Sequence, residues 1–222
     1  MRTLVIAGAL VLAAPGLQAA CDDPPREKVD WSKCSKQRLV LSRASLGEAR
    51  FERALLVGMN FEAADLRRTN FASAEATRCS FRGAVMEEAV LQKLVCVRSN
   101  FRDARLAKAD LEKAEFHRCD LAGATLRGAN LSKGDFGRSV FDRADLSGVN
   151  FKYSSLSRAS LRGAKLEGAD FEQAYLFAAR LEATDLSSVK GLKQEQIELA
   201  CGDAKTKLPA ALKPPASWPC TE

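Results

Sequence analysis

Between Leu41 and Leu186 every fifth residue is apolar, and of these thirty positions twenty-seven are Leu or Phe. The exceptions are Ala76, Met86 and Cys96. Two residues before each centre the chain is small. Ala is commonest there, Cys79, Ser99, Cys119, Gly134, Ser139 and Ser154 are substitutes, and Met59 and Leu94 are bulky exceptions. No insertion or deletion shifts this register, which marks a repeat architecture. A period of five matches neither the 3.6 of a helix nor the 2.0 of an ordinary strand, so it excludes a helical bundle and a sandwich. A coil with straight sides of five residues satisfies it. Each side turns its centre and the small residue inward and leaves three positions outside, while successive coils bond through their backbones at about 4.8 Å. All seven prolines lie outside the run, as a ladder that needs every backbone donor requires.

The unit A-(D/N)-L-x-x recurs in Ala64-Asp65-Leu66, Ala109-Asp110-Leu111, Ala129-Asn130-Leu131 and Ala144-Asp145-Leu146. It resembles the repeat of the pentapeptide-repeat family. The resemblance implies an all-β chain, a right-handed quadrilateral parallel β-helix with twenty residues per coil and short capping segments at both ends. Neither the number of sides nor the hand follows from spacing. The flanks, Val29-Asp30-Trp31 and Ala200-Cys201-Gly202-Asp203 to Leu208-Pro209, are similar to the caps of exported members.

Four segments follow: 1–20, a leader; 21–38, an N-terminal cap covering the first coil with Val29 and Trp31; 39–190, the β-helix; and 191–222, a capping helix within Leu192 to Ala200 followed by an irregular tail. The leader has Arg2, an apolar stretch from Leu4 to Ala14, and Pro15-Gly16 before Leu17-Gln18-Ala19-Ala20. This is the pattern of a secretory signal peptide cleaved near Ala19 or Ala20, too short to span a membrane. The expected location is therefore outside the cytoplasm, most naturally the periplasm, with no transmembrane segment after cleavage. Lipidation at Cys21 is the lesser reading, because Gln18 stands where such signals carry Leu.

Seven cysteines form two groups. Cys79, Cys96 and Cys119 occupy inward positions and read as small hydrophobes. Cys79 and Cys119, two coils apart, are separated by about 9.6 Å, too far for a bond. Cys21, Cys34, Cys201 and Cys220 flank the repeat and allow three pairings in principle. With twenty-residue coils the ends lie roughly 36 Å apart, which leaves Cys21 with Cys34 and Cys201 with Cys220. Such bonds persist in an oxidising compartment.

In coils of twenty, residues twenty apart stack into columns. Sorting the exterior this way singles out the side centred on Leu56, Ala76, Cys96, Phe116, Phe136, Leu156 and Leu176. One of its corners carries Arg78, Arg98, Arg118, Arg138 and Arg158, and the other Lys93, Lys113 and Lys133. Between them lie Glu75, Glu115 and Asp135 and the outward apolar residues Leu55, Val57, Val95, Val97, Tyr175 and Phe177. Like charges 4.8 Å apart repel by about 0.9 kcal/mol per neighbouring pair even in water, and a solenoid does not need that arrangement. A functional reading makes this an anion-binding face, since guanidinium forks suit carboxylate or phosphate. The competing reading is a solvated corner whose side chains splay and pair with Glu115 and Asp135. Val85, Val90, Val95 and Val97 interrupt the polar exterior near one coil, as a small contact patch or as strand formers.

Nothing in the sequence points to an enzyme. The single histidine, His117, is an outward neighbour of Arg118 and reads as an exposed polar residue. The recurring Asp65, Asp110, Asp145, Asp170 and Asp185 follow the repeat. No nucleophile triad, phosphate loop or zinc spacing is present, so no catalytic residue, metal ligand or cofactor is expected. The expectation is a non-enzymatic binding or scaffolding protein presenting a rigid basic face to a protein or other anionic partner. A homodimer is also compatible with the pattern. The alternatives are a DNA-mimicking, gyrase-interacting member of the family, from which this chain departs in leader, charge and unbroken register, and a direct binder of nucleic acid or anionic lipid. Nucleic acid is disfavoured by the lack of stacking aromatics and groove motifs.

Overall fold

The computed structural model describes residues 21–220; the leader expected over 1–20 lies outside the described residues. The chain is wound as a parallel β-helix. Five strands, β1 (Ser35–Gln37), β2 (Leu55–Val57), β3 (Glu75–Thr77), β4 (Val95–Val97) and β5 (Glu115–His117), stack in sequence order in one parallel sheet. Ser35 pairs with Leu55 and Leu55 with Glu75, a register of twenty that gives four five-residue sides per coil. The other sides keep the same register through isolated bridges such as Ser45 with Asp65 and Val140 with Ser160.

The five-residue period follows from the hydrogen bonding. Each centre donates to the next coil and the residue before it donates to the previous coil, as in Leu46 N–H to Asp65 C=O (2.8 Å) and Asp65 N–H to Ala44 C=O (2.9 Å). Between sides the chain makes a β-turn, as where Ala64 N–H reaches Phe61 C=O at 3.0 Å while Ala63 holds φ of 54°. A left-handed third residue is what a type II turn demands. Corners of this kind close a coil without spending a sixth residue on any side.

The centres fill the interior. Ten of the 11 phenylalanines lie at inward positions with 0% exposure, and most of those twenty apart stack ring on ring, Phe116 and Phe136 being tilted instead. The centroids of Phe51 and Phe71 are 4.6 Å apart, and those of Phe81 and Phe101 4.6 Å. Each ring so buried contributes about 1.5–3 kcal/mol.

The corner after β2 to β5 differs in lacking the turn bond. After β3 and β5 a side chain of the next coil takes its place: Cys79 N–H donates to Ser99 Oγ (3.0 Å) and Cys119 N–H to Ser139 Oγ (3.1 Å). Ser139 Oγ in turn donates to Phe116 C=O at 2.7 Å. From Phe136 onward the tight turn returns at this corner, with Ser139 N–H on Phe136 C=O (3.1 Å) and Ala159 N–H on Leu156 C=O (2.9 Å). The strand stack ends there too, where Gly137 follows Val97 and His117 in the column; glycine is a poor strand former.

Both end segments differ from the sequence expectation. Residues 21–38 are not a separate cap throughout. Val29, Trp31 and Cys34 are buried at repeat positions, Asp30 bridges to Arg50, and β1 lies in this segment, so the coil begins near residue 29. A Trp centre hid this because the eye follows Leu and Phe. The Cys21–Cys34 disulfide and the Trp31 indole N–H on Asp23 C=O (3.1 Å) close that end.

At the other end the helix α1 (Gln194–Glu198) buries Ile197. The segment after it is less irregular than expected, since Cys201 bridges to Arg180 and Lys207 to Asp185 and so completes a last partial coil. The Cys201–Cys220 disulfide and Trp218, whose ring lies against Gly202 and whose indole N–H donates to Ala200 C=O (2.7 Å), hold the tail over it.

Candidate functional site: the basic face of the coil

The arginine column is continuous along the backbone. Arg78 N–H donates to Val97 C=O, Arg98 N–H to His117 C=O, Arg118 N–H to Gly137 C=O, Arg138 N–H to Ser157 C=O and Arg158 N–H to Phe177 C=O. All five arginines sit at left-handed corner positions, with φ between 51° and 59°. That geometry turns the side chain out of the coil, and all five are exposed. Arg38, hidden in the supposed cap, extends the column by one more arginine beyond Gly58.

Many cations elsewhere on the surface are paired, and those of this column are not. At the corner of Lys28, Glu48, Arg68 and Glu88 the signs alternate; Glu48 is 2.9 Å from Arg68 and 3.6 Å from Lys28, and the hydrogen bond from Arg68 holds its carboxyl below the usual range. Elsewhere Arg105 meets Glu87 (2.6 Å), Arg102 meets Asp120 (3.1 Å) and Lys152 meets Glu172 (2.7 Å). Among the described residues Arg38, Arg78, Arg98, Arg118, Arg138 and Arg158 form no ion pair. The expected pairing with Glu115 and Asp135 does not occur. Glu115 faces His117 at 3.7 Å, and Asp135 Oδ1 accepts the Gly137 N–H at 2.9 Å. Each carboxylate lies on the flat of the side, outside salt-bridge distance of the arginines at the corner.

The lysine corner is different again. Lys133 lies 2.9 Å and Lys113 3.9 Å from the same carboxylate, Glu112, which neutralises part of that edge. Lys93 has no carboxylate within salt-bridge distance among the described residues. The uncompensated charge of the face is therefore concentrated on the arginine side.

The sequence reading missed a break in the face. The position after each centre reads Val57, Thr77, Val97, His117, Gly137, Ser157, Phe177. At Gly137 and Ser157 the side chains shrink, and a shallow notch of about 410 Å³ opens, walled by Arg118, Arg138 and Arg158 and ended by His117 and Phe177. The signal was a Gly-Ser pair in a column otherwise of larger side chains. Phe177 is the one phenylalanine outside the core, 41% exposed and stacked on Tyr175 (49% exposed) with centroids 6.2 Å apart. The Arg158 guanidinium carbon is 6.0 Å from the Phe177 centroid. The half-buried Val85, Val90 and Val95 fall on three different sides, so only Val95 and Val97 share one.

The buried thiols line no cavity. Cys79, Cys96 and Cys119 are free and enclosed, and burial pushes the Cys79 thiol up to about 11. Cys96 and Cys119, which the spacing treats as separate, are neighbours, with Cys119 Sγ 3.3 Å from Cys96 C=O. Among the described residues no cluster of three or more His, Cys, Asp or Glu could hold a metal ion, and no helix is long and apolar enough to cross a membrane.

Several solved structures are similar in fold. One is HetL, a pentapeptide repeat protein involved in heterocyst differentiation regulation from the cyanobacterium Nostoc sp. strain PCC 7120, at 22% identity over 86% of this chain and 90% of that one, TM-score 0.43. Another is full-length QnrB1, a plasmid-mediated fluoroquinolone resistance protein, at 18% identity over 80% and 92%, TM-score 0.35. A third, from the Arabidopsis thaliana thylakoid lumen, is 22% identical over 55% and 79%, TM-score 0.26. No curated protein matches the chain. The model for pentapeptide repeats (8 copies) matches residues 44–83 and 79–118, and that for a pentapeptide repeat region matches 114–190. These matches cover well over half of a chain whose coils have the twenty-residue register described above, and the chain belongs to the pentapeptide-repeat family.

Proposed function

We propose that this protein is a non-enzymatic binding scaffold, exported from the cytoplasm, that presents its arginine column to the acidic surface of a protein partner. One observation carries the reading: six exposed arginines in line on a single corner, none of them in an ion pair among the described residues, where the corner of Lys28, Glu48, Arg68 and Glu88 alternates its charges. Family membership supports a binding role, since pentapeptide-repeat proteins are generally structural or binding proteins. The mechanism is preorganisation. The coil fixes the guanidinium groups in a line before the partner arrives, so little binding energy goes into ordering them. Two disulfides and the leader-like first twenty residues support export.

The test is the triple variant Arg98→Glu, Arg118→Glu, Arg138→Glu, with crosslinking in intact cells. The wild type is expected to attach an acidic protein that the variant does not. Unchanged crosslinking would remove the column from function, and loss of heparin retention alone would reduce it to a generic polyanion surface. Cell fractionation with N-terminal sequencing of the mature chain tests export; the expected start is near Ala19 or Ala20.

A further inference from the structure

The notch at Gly137 has no folding explanation. Gly137 is absent from the left-handed positions, so its backbone does not demand glycine. Val57, Thr77 and Val97 fill the same column position in other coils without disturbing the register. A Cβ at Gly137 would lie 3.7 Å from Ser157 C=O and 3.1 Å from Asp135 Oδ1, so a side chain there crowds only the floor of the notch. An open space at this point, beside three guanidinium groups that form no ion pair, is a place for another molecule's charge.

We propose that the notch is the anchor subsite of the basic face: it receives a carboxylate side chain from an acidic protein segment, while a neighbouring apolar residue of that segment packs on the Tyr175–Phe177 slab. This rests on the reading of the face as a surface for an acidic partner. Charge complementarity selects the occupant. Arg118, Arg138 and Arg158 face a single carboxylate, Asp135, and its Oδ1 already holds the Gly137 N–H. The surplus suits an incoming carboxylate, which accepts a guanidinium fork in two parallel bonds. A phosphate dianion would be penalised more by Asp135, and a polyanion would lie along the whole column without needing a gap in the side. The exposed ring pair at the end of the notch adds a demand that nucleic-acid phosphates do not meet: an apolar group within one side chain's reach of the charge. Aromatic anchors of this kind dominate protein interfaces.

The probe is a fluorescein-labelled peptide library of Asp and Glu around one Leu or Phe, read by anisotropy against the same peptides with Asn and Gln. Gly137→Val fills the notch with the side chain used at Val57 and Val97 and removes no charge, the Asp135 carboxylate shifting to make room. The expected result is about tenfold weaker binding, with the melting transition retained. Ser157→Val fills the notch from the next coil and is the second variant should Gly137→Val unfold. Phe177→Ala is expected to weaken peptides that carry the apolar residue and to spare those that lack it.

If the filled variants bind as the wild type does while the triple arginine variant does not, the subsite is wrong and the basic face stands. Failure of every acidic peptide to bind the wild type overturns both. Displacement of the peptide by single-stranded DNA with equal potency from wild type and Gly137→Val also overturns the subsite, because the surface would then be a general polyanion one.

Discussion

At Phe116 a single side chain links two coils. It is 0% exposed, and its ring lies 5.1 Å from that of Phe101 and 5.9 Å from that of Phe136. Phe116→Ala should cost about 3–5 kcal/mol, because a tube one side chain across cannot collapse around the space left. Chemical denaturation measures it; a midpoint at the wild-type value would contradict the inward assignment. This residue was legible in the sequence, as were nearly all the centres, since one large apolar residue per side leaves a trace no other fold produces. Trp31 was not read as a centre and Arg38 was not read as part of the column, because both fall where charge and proline obscure the beat.

Corners are where sequence reading failed. The spacing treats all four as equivalent, yet one corner lacks its turn bond from β2 to β5, and after β3 and β5 it compensates with Ser99 and Ser139 from the following coil. Those serines read as mere substitutes for Ala. Their hydroxyls are in fact the acceptors for otherwise unpaired buried N–H groups, and such groups are costly when orphaned. Ser139→Ala should therefore destabilise by about 1–3 kcal/mol, although Ala is the commonest residue at the equivalent positions of this chain. Thermal denaturation decides it, with Ala159→Ser, at a corner whose turn bond is intact, as the comparison that should not gain stability. The ion pairs were illegible for a related reason. Pairs such as Arg105 with Glu87 are diagonal, eighteen residues apart, and rotamer choice rather than spacing settles which carboxylate a cation reaches.

For the whole molecule, the alignment of columns was legible and their chemistry was not. Stacking at twenty residues put the arginines in a row on paper, but only the structure shows that they stay unpaired, that the lysine edge shares Glu112, and that Gly137 opens the side between His117 and Phe177. The missing side chain marks the sequence only as the Gly137-Ser157 pair, which a pattern built from large residues passes over.

Because every coil up to Lys190 is four equal sides in an unbroken register of twenty, segment length acts as an angle. Removing residues 81–100 shortens the rod by one storey and leaves every surviving column straight. Removing only 81–85 keeps Leu and Phe inside but rotates everything downstream by a quarter turn, so that Arg98 to Arg158 swing beneath the edge of Lys33 and Arg53 and away from Arg38 and Arg78. Both deletions are expected to fold to β-rich rods by circular dichroism and scattering, and only the first is expected to keep partner crosslinking. A lineage could thus re-aim such a surface by losing or duplicating one pentad, with no change to any side chain.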